Sequence, residues 1–210
     1  IVQGLLGGFR VRLNALFGPD LAAIHGCFAQ VVFGLLAAVA LCTSRRFARA
    51  ALPADEGKRS RRLALLLTAL TFLQLVWGAL VRHTSDSLPP RLHMLTAFAV
   101  VAAAAFLTRA AFEGAAGRRV LGRPLAFLAL LLVVQLSLGV EAWLGKFAGV
   151  PLPELQAVTE AQAAVRTAHV VVGAWVLASA VVITLLAYRQ PVDQSPSHRD
   201  LSRPSGSLLS

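Results

Sequence analysis

The stretch VRTAHVVVGAWVLASAVVITLLAYR, residues 165–189, decides the fold. Its 167–188 portion carries no Asp, Glu, Lys or Arg. About 20 consecutive apolar residues span the hydrocarbon core of a bilayer as a helix, so this run is read as a crossing. One residue is out of character. His169 sits near the start of the span, and an ionisable side chain inside a membrane is expensive unless a partner satisfies it.

Outward from this stretch the same signal returns. Residues 21–43, 63–81, 92–108 and 124–145 are further apolar runs, and residues 1–9 (IVQGLLGGF) read as the end of a sixth. The composition agrees: 57% hydrophobic and 14% charged residues, where an ordinary soluble domain carries roughly 25% charged. The fold class is therefore all-α, a polytopic transmembrane helical bundle. The chain starts at Ile1 within an apolar segment, and its one Met is Met94. No basic n-region or cleavage site of a signal peptide is present. The expectation is a fragment whose first helices are missing.

The net charge of +10 is a matter of topology. Residues 44–62, 109–123 and the tail after Tyr188 together hold fourteen basic and five acidic side chains, against six and five elsewhere. By the positive-inside rule the basic segments, with the C-terminus, face the cytoplasm. No nucleic-acid partner is expected; the partner is the lipid bilayer. Cys27 and Cys42 share one expected helix, about 22 Å apart at 1.5 Å rise per residue, too far for a disulfide. The Ser- and Pro-rich tail, 191–210, is expected to be disordered, with His198 solvated.

With inside and outside assigned, an internal repeat emerges. QGLLGGFRVR (3–12) precedes LAAIHGCFAQVV; QLVWGALVRH (74–83) precedes PRLHMLTAFAVV; QLSLGVEAWL (135–144) precedes RTAHVVVGAWVL. Each unit is a helix with Gln-x-x-x-Gly (Gln3/Gly7, Gln74/Gly78, Gln135/Gly139), an outer loop, and a helix with a His near its outer end: His25, His93 and His169. Residues four apart share one helix face. A Gly there lets a backbone or flat ligand approach, and the Gln beside it can donate or accept a hydrogen bond. Each His is followed at i+4 by a small residue, Ala29, Ala97 or Gly173.

A single intramembrane His is equally well explained by an interhelical hydrogen bond. Three in one frame suggest coordination, and two on facing helices suit bis-imidazole haem. Zinc fits less well, since no Cys or carboxylate lies beside them to complete a tetrahedral set. A proton relay would call for buried carboxylates, which the spans nearly lack. Glu141 is the exception, either interfacial or a partner for a His N–H. Arg10, Arg12, Arg82, Arg91 and Arg166 fall at the outer level, where Arg could grip anionic groups or simply anchor the interface. Arg82 and Arg91 are the preferred pair. His83 ends a helix at the same level. Trp77, Trp143 and Trp175 suit either an interfacial belt or packing against a flat group.

The ordered series QGLLGGFRV…HG, LQLVWGALVRHT…RLHMLTAFA and QLSLGVEAWL…RTAHVVVGAWVLAS resembles the haem A synthase (cytochrome oxidase assembly) family, from Val2 to about Tyr188. The resemblance implies eight helices in two similar four-helix halves, each holding a haem between two histidines near the outer face. It makes residues 1–50 the remainder of the first half and 51–61 a cytoplasmic loop. Residues 62–190 become the complete second half, and 191–210 a tail. His93 and His169 would ligate a resident haem b, with Gln74, Gln135, Gly139, Gly173, Arg82 and Arg91 around it. His25 would ligate the substrate, haem O, whose ring methyl is oxidised to the formyl group of haem A. The family's Glu and His-Arg motif on an earlier helix is not in this chain, so one whole site and half of the presumed catalytic site remain. Turnover by the chain alone is not expected. Partners implied are haem O synthase, cytochrome oxidase assembly factors and an electron acceptor the sequence does not specify. The implied location is a bacterial inner membrane. The alternative is a b-type haem electron carrier that makes no haem A.

Overall fold

The computed structural model describes residues 1–12, 20–83, 87–147 and 158–189. The expected disordered tail, 191–210 with His198, lies outside them. Seven helices make up the described chain: α1 (Val2–Arg12), α2 (Asp20–Cys42), α3 (Arg45–Arg49), α4 (Ala54–His83), α5 (Leu88–Phe112), α6 (Ala115–Phe147) and α7 (Glu160–Tyr188). Five of them, α2 and α4 to α7, are long and apolar enough to cross a membrane. With the apolar side chains Leu35, Leu36, Val39, Leu95, Phe98, Leu130 and Val133 turned outward, this is a polytopic helical membrane protein. Only backbone that satisfies its own hydrogen bonds is viable in lipid, which is why apolar runs of this length fold as helices.

Helix ends are set locally. Thr159 caps α7 with a capping box: its hydroxyl accepts from Gln162 N–H and its own N–H donates to Gln162 Oε1, each at 3.2 Å. Gln162 Nε2 also donates to the Gly145 carbonyl at 3.2 Å, tying the start of α7 to the end of α6. Pro89 and Pro90 occupy the first turn of α5, where a missing N–H costs nothing. Between α5 and α6 only residues 113–114 are non-helical. Gly117 permits that tight connection, because a Cβ there would collide with the Ala111 carbonyl.

One expectation is corrected. Residues 51–61, expected as a loop, are helical from Ala54 onward. Arg61 explains the order. Its guanidinium donates to the carbonyls of Ala187 (2.9 Å) and Leu52 (3.0 Å), so the charged turns of α4 are docked on the C-terminus of α7. Leu52 N–H closes the junction by donating to the Arg189 carbonyl at 2.9 Å.

Helices α4 to α7 form a four-helix bundle, with α4 against α5 and α7, and α6 against α5 and α7. Helix α2 lies outside it on α7 and α4, and α1 packs on α2. Phe33 of α2 meets Trp175 of α7 edge to face at 5.5 Å. The core is lopsided. Leu67, Leu107, Leu121, Leu128, Ile183 and Leu186 are fully buried, and all belong to the end of the bundle where α4 and α6 begin and α5 and α7 finish. In the opposite half, residues 72–83, 88–99, 129–147 and 158–172 plus Gly173, the buried residues among those described are Pro89 and Gly173. His93 and His169, both part-buried, belong to that less buried half.

Candidate functional site

The repeat read from the sequence is a repeat in space. In each unit the imidazole lies against the backbone of the preceding helix, in the niche left by the glycine of Gln-x-x-x-Gly. A Cβ added at Gly7 would stand 3.3 Å from His25 Cε1; at Gly78, 3.2 Å from His93 Cε1; at Gly139, 3.1 Å from His169 Cε1. The glutamine one turn earlier reaches the same ring. Gln3, Gln74 and Gln135 set Nε2 at 3.4, 3.3 and 3.4 Å from Nε2 of His25, His93 and His169. The four-residue spacing puts Gln and Gly on one face, so both meet one histidine.

The protonation of His93 follows from its partners. Nδ1 lies 3.1 Å from the Gln74 backbone carbonyl, which can only accept, so Nδ1 carries the proton. In the neutral ring Nε2 is then a bare lone pair, and the Gln74 amide N–H donates to it. That orientation turns Gln74 Oε1 to the Thr96 hydroxyl, which donates to it. The Thr96 oxygen also stays near the Leu92 carbonyl of its own helix at 2.7 Å. A backbone carbonyl on Nδ1 and a lone pair at Nε2 is the arrangement of a metal-ligating histidine.

The other two units lack part of this network. His169 Nδ1 addresses the Gln135 carbonyl but falls short of full hydrogen-bond geometry, and Gln135 Oε1 has no partner among the described residues. His25 Nδ1 and Gln3 Oε1 are likewise buried without one. Sequence accounts for the glutamine oxygens. Three residues after the histidine stands Thr96 in one unit, and Val172 or Phe28 in the others. The sequence reading missed Thr96; its position at His+3 on the Gln-facing side was the available signal.

The bundle brings two of the units together. The rings of His93 (α5) and His169 (α7) meet edge to face with centroids 6.2 Å apart and planes at 69°. Their glycines and glutamines come from α4 and α6, so all four helices contribute. His25, on α2 with its Gln and Gly on α1, belongs to a separate unit. Among the described residues no three of His, Cys, Asp and Glu cluster as a metal site.

The remaining expectations distribute as follows. Gly173 seats a side chain: a Cβ there would stand 3.2 Å from Gln135 Nε2 and 3.5 Å from Leu75 Cδ2. The gap expected to face a flat group is thus taken by the Gln135 carboxamide. Arg82, in the last turn of α4, and Arg91, two residues before His93, are exposed. Glu141 is exposed too, and with Gln162 and Arg166 it lines a cavity of about 120 Å³ between α6 and α7. The hydrogen-bond partner of His169 is Gln135, not Glu141. His83 is the last residue of α4. Compared with models of known protein families, with curated proteins and with solved structures, the chain matches none.

Proposed function

We propose that the chain is a haem-binding membrane oxidoreductase of the haem A synthase type, with a b-type haem held between His93 and His169. The observation that carries this reading is the 6.2 Å separation of the two rings. Metal–imidazole bonds of about 2 Å put the centres of two imidazoles on one metal roughly 6 Å apart. Three further features fit. Two imidazoles from facing helices are the donors a macrocycle would need from the chain. The Gln74 carbonyl keeps the His93 proton on Nδ1 and leaves Nε2 as the donor. The fully buried apolar side chains lie in the other half of the bundle, and the half around the pair is less buried.

When bound, the haem would supply one-electron chemistry; the chain's residues hold and orient it. Gly78 and Gly139 let the imidazoles seat against α4 and α6. Gln74 and Gln135 fix ring orientation. Arg82 and Arg91, exposed at the ends of α4 and α5 near the pair, are suited to the anionic edge of the macrocycle. In this reading haem O would be the substrate, held through His25; a ring methyl would be oxidised to formyl with oxygen taken from water, and the electrons and protons released would pass to the electron acceptor and the solvent. Haem O synthase, oxidase assembly factors and an electron acceptor would be its partners. It would lie in a bacterial inner membrane with the C-terminus cytoplasmic. A second reading, an electron carrier without haem A synthesis, is favoured at the bundle site itself: two imidazoles on one iron leave no position for substrate.

The test is a reduced-minus-oxidised spectrum with pyridine haemochrome analysis of the purified chain, beside His93→Ala, His169→Ala and His25→Ala. A low-spin b-type signal is expected, lost in the first two variants and kept in the third. A folded chain that takes up no haem would refute both readings. Haem uptake by the chain, with no conversion of added haem O by membranes that hold the product of the full-length gene, would leave the carrier.

A further inference from the structure

In all three units the glutamine side chain bonds the imidazole nitrogen that a metal would need. The carboxamide nitrogen stands 3.3 to 3.4 Å from Nε2, and Nδ1 of His93 and His169 is turned to the carbonyl of Gln74 and Gln135. An unsatisfied polar atom in an apolar environment is costly, so the glutamines at His93 and His169 cover the lone pair of the metal-free ring. A metal cannot share that lone pair. Ligation must displace the amide. The covers are unequal. Gln74 Oε1 accepts from Thr96, whereas Gln135 Oε1 and Gln3 Oε1 have no partner among the described residues. With one end unheld, the Gln135 carboxamide turns away at little cost; the Gln74 carboxamide must first release Thr96.

We propose that the glutamines are displaceable caps on the coordinating nitrogens, and that Thr96 makes the cap on His93 the firmer one, so that an incoming metal porphyrin engages His169 before His93. This rests on the haem reading above. Thr96 acts through Gln74 and is a positioning residue. The third unit is its natural comparison: Val172 occupies the position of Thr96, with the same Gln and Gly contacts to its histidine at 3.4 and 3.1 Å.

The experiment is stopped-flow mixing of the haem-free, detergent-solubilised full chain with hemin, followed in the Soret region. Two phases are expected: one that scales with hemin concentration, as His169 engages, and a slower one that does not, as His93 displaces its cap and the spectrum becomes low-spin. Thr96→Val should speed the second phase about fivefold, the factor for one net hydrogen bond of about 1 kcal/mol at 1.36 kcal/mol per tenfold. Thr96→Ser should keep the wild-type rate, and Val172→Thr should slow the first phase by a similar factor. Imidazole ¹⁵N shifts of the haem-free protein should show His93 protonated at Nδ1 in wild type and Thr96→Ser. Haem uptake with a second phase unchanged or slower in Thr96→Val overturns the cap proposal and leaves the haem reading standing. A single phase does the same. A wild-type chain that takes up no hemin overturns both.

Discussion

At Gly139 the absence of one methyl group sets the position of an imidazole. Glycine in a helix interior ordinarily costs about 1 kcal/mol relative to alanine, so its presence in a membrane helix calls for a local reason. Here a Cβ would come within 3.1 Å of His169 Cε1, tighter than ordinary carbon contact, while Gln135 one turn earlier on the same face holds the ring at Nε2. Gly139→Ala should therefore push His169 outward by a few tenths of an ångström and weaken haem binding about tenfold. Gly8 is the control. Nothing lies within 4 Å of a Cβ built there, so Gly8→Ala should raise helix stability by about 0.5–1 kcal/mol and leave haem uptake alone. Haem titration and thermal unfolding of the two variants separate the effects. Equal haem affinity in Gly139→Ala and wild type would remove the niche from the account.

At the scale of the helices, contacts made by side chains that the apolar pattern does not mark join α4 to α7. Thr68 and Thr184 hydrogen-bond at 2.9 Å across the two helices, and Arg61 binds the Ala187 carbonyl in the last turn of α7. Arg61→Ala leaves three carbonyl contacts unmade, at Ala187, Leu52 and Pro53, and should cost about 2 kcal/mol in urea or SDS unfolding. Arg61→Lys should recover little, since one ammonium cannot span the forked set. The Thr68/Thr184 double-mutant cycle should give a coupling of about 0.5–1.5 kcal/mol, the range for polar pairs between membrane helices. No change in unfolding for Arg61→Ala would mean the charged start of α4 is not docked in solution. These contacts also show what the sequence could reveal. The five spans were legible because hydropathy is a property of one segment. The true start of α4 at Ala54 was not, because it depends on Arg61 reaching another helix 126 residues away. The Gln-x-x-x-Gly units and their histidines were legible because they recur in one frame. Thr96 was not, because a hydroxyl at His+3 acquires meaning only when α4 and α5 are set in register and Gln74 is seen to face it.

Across the whole molecule two asymmetries run along the bundle. One is of charge: Arg45, Arg46, Arg49, Arg61, Arg62, Arg118 and Arg119 cluster in the segments that flank the well-packed end. The positive-inside rule then expects a reporter fused after Arg189 to be active in the cytoplasm. A reporter active outside would invert the topology and place the histidines on the inner side. The other asymmetry is of packing. The end with Leu67, Leu107, Leu128 and Ile183 is filled, and the end with His93 and His169 is not. Stability from side chains is thus concentrated in one half, and a ligand spanning the other would supply what the sequence does not. A ligand that binds only the folded state stabilises it by RT ln(1 + [L]/Kd), about 2.7 kcal/mol at one hundred times Kd. Hemin at that excess should raise the unfolding free energy of wild type by about this amount. His169→Ala should lose nearly all of that gain, while in the absence of hemin it should cost no more than the roughly 1 kcal/mol of its Gln135 contact. His25→Ala should keep it. If His169→Ala were instead strongly destabilised without hemin, the imidazole would be a packing element of the bundle, and the open end would owe its shape to the protein alone.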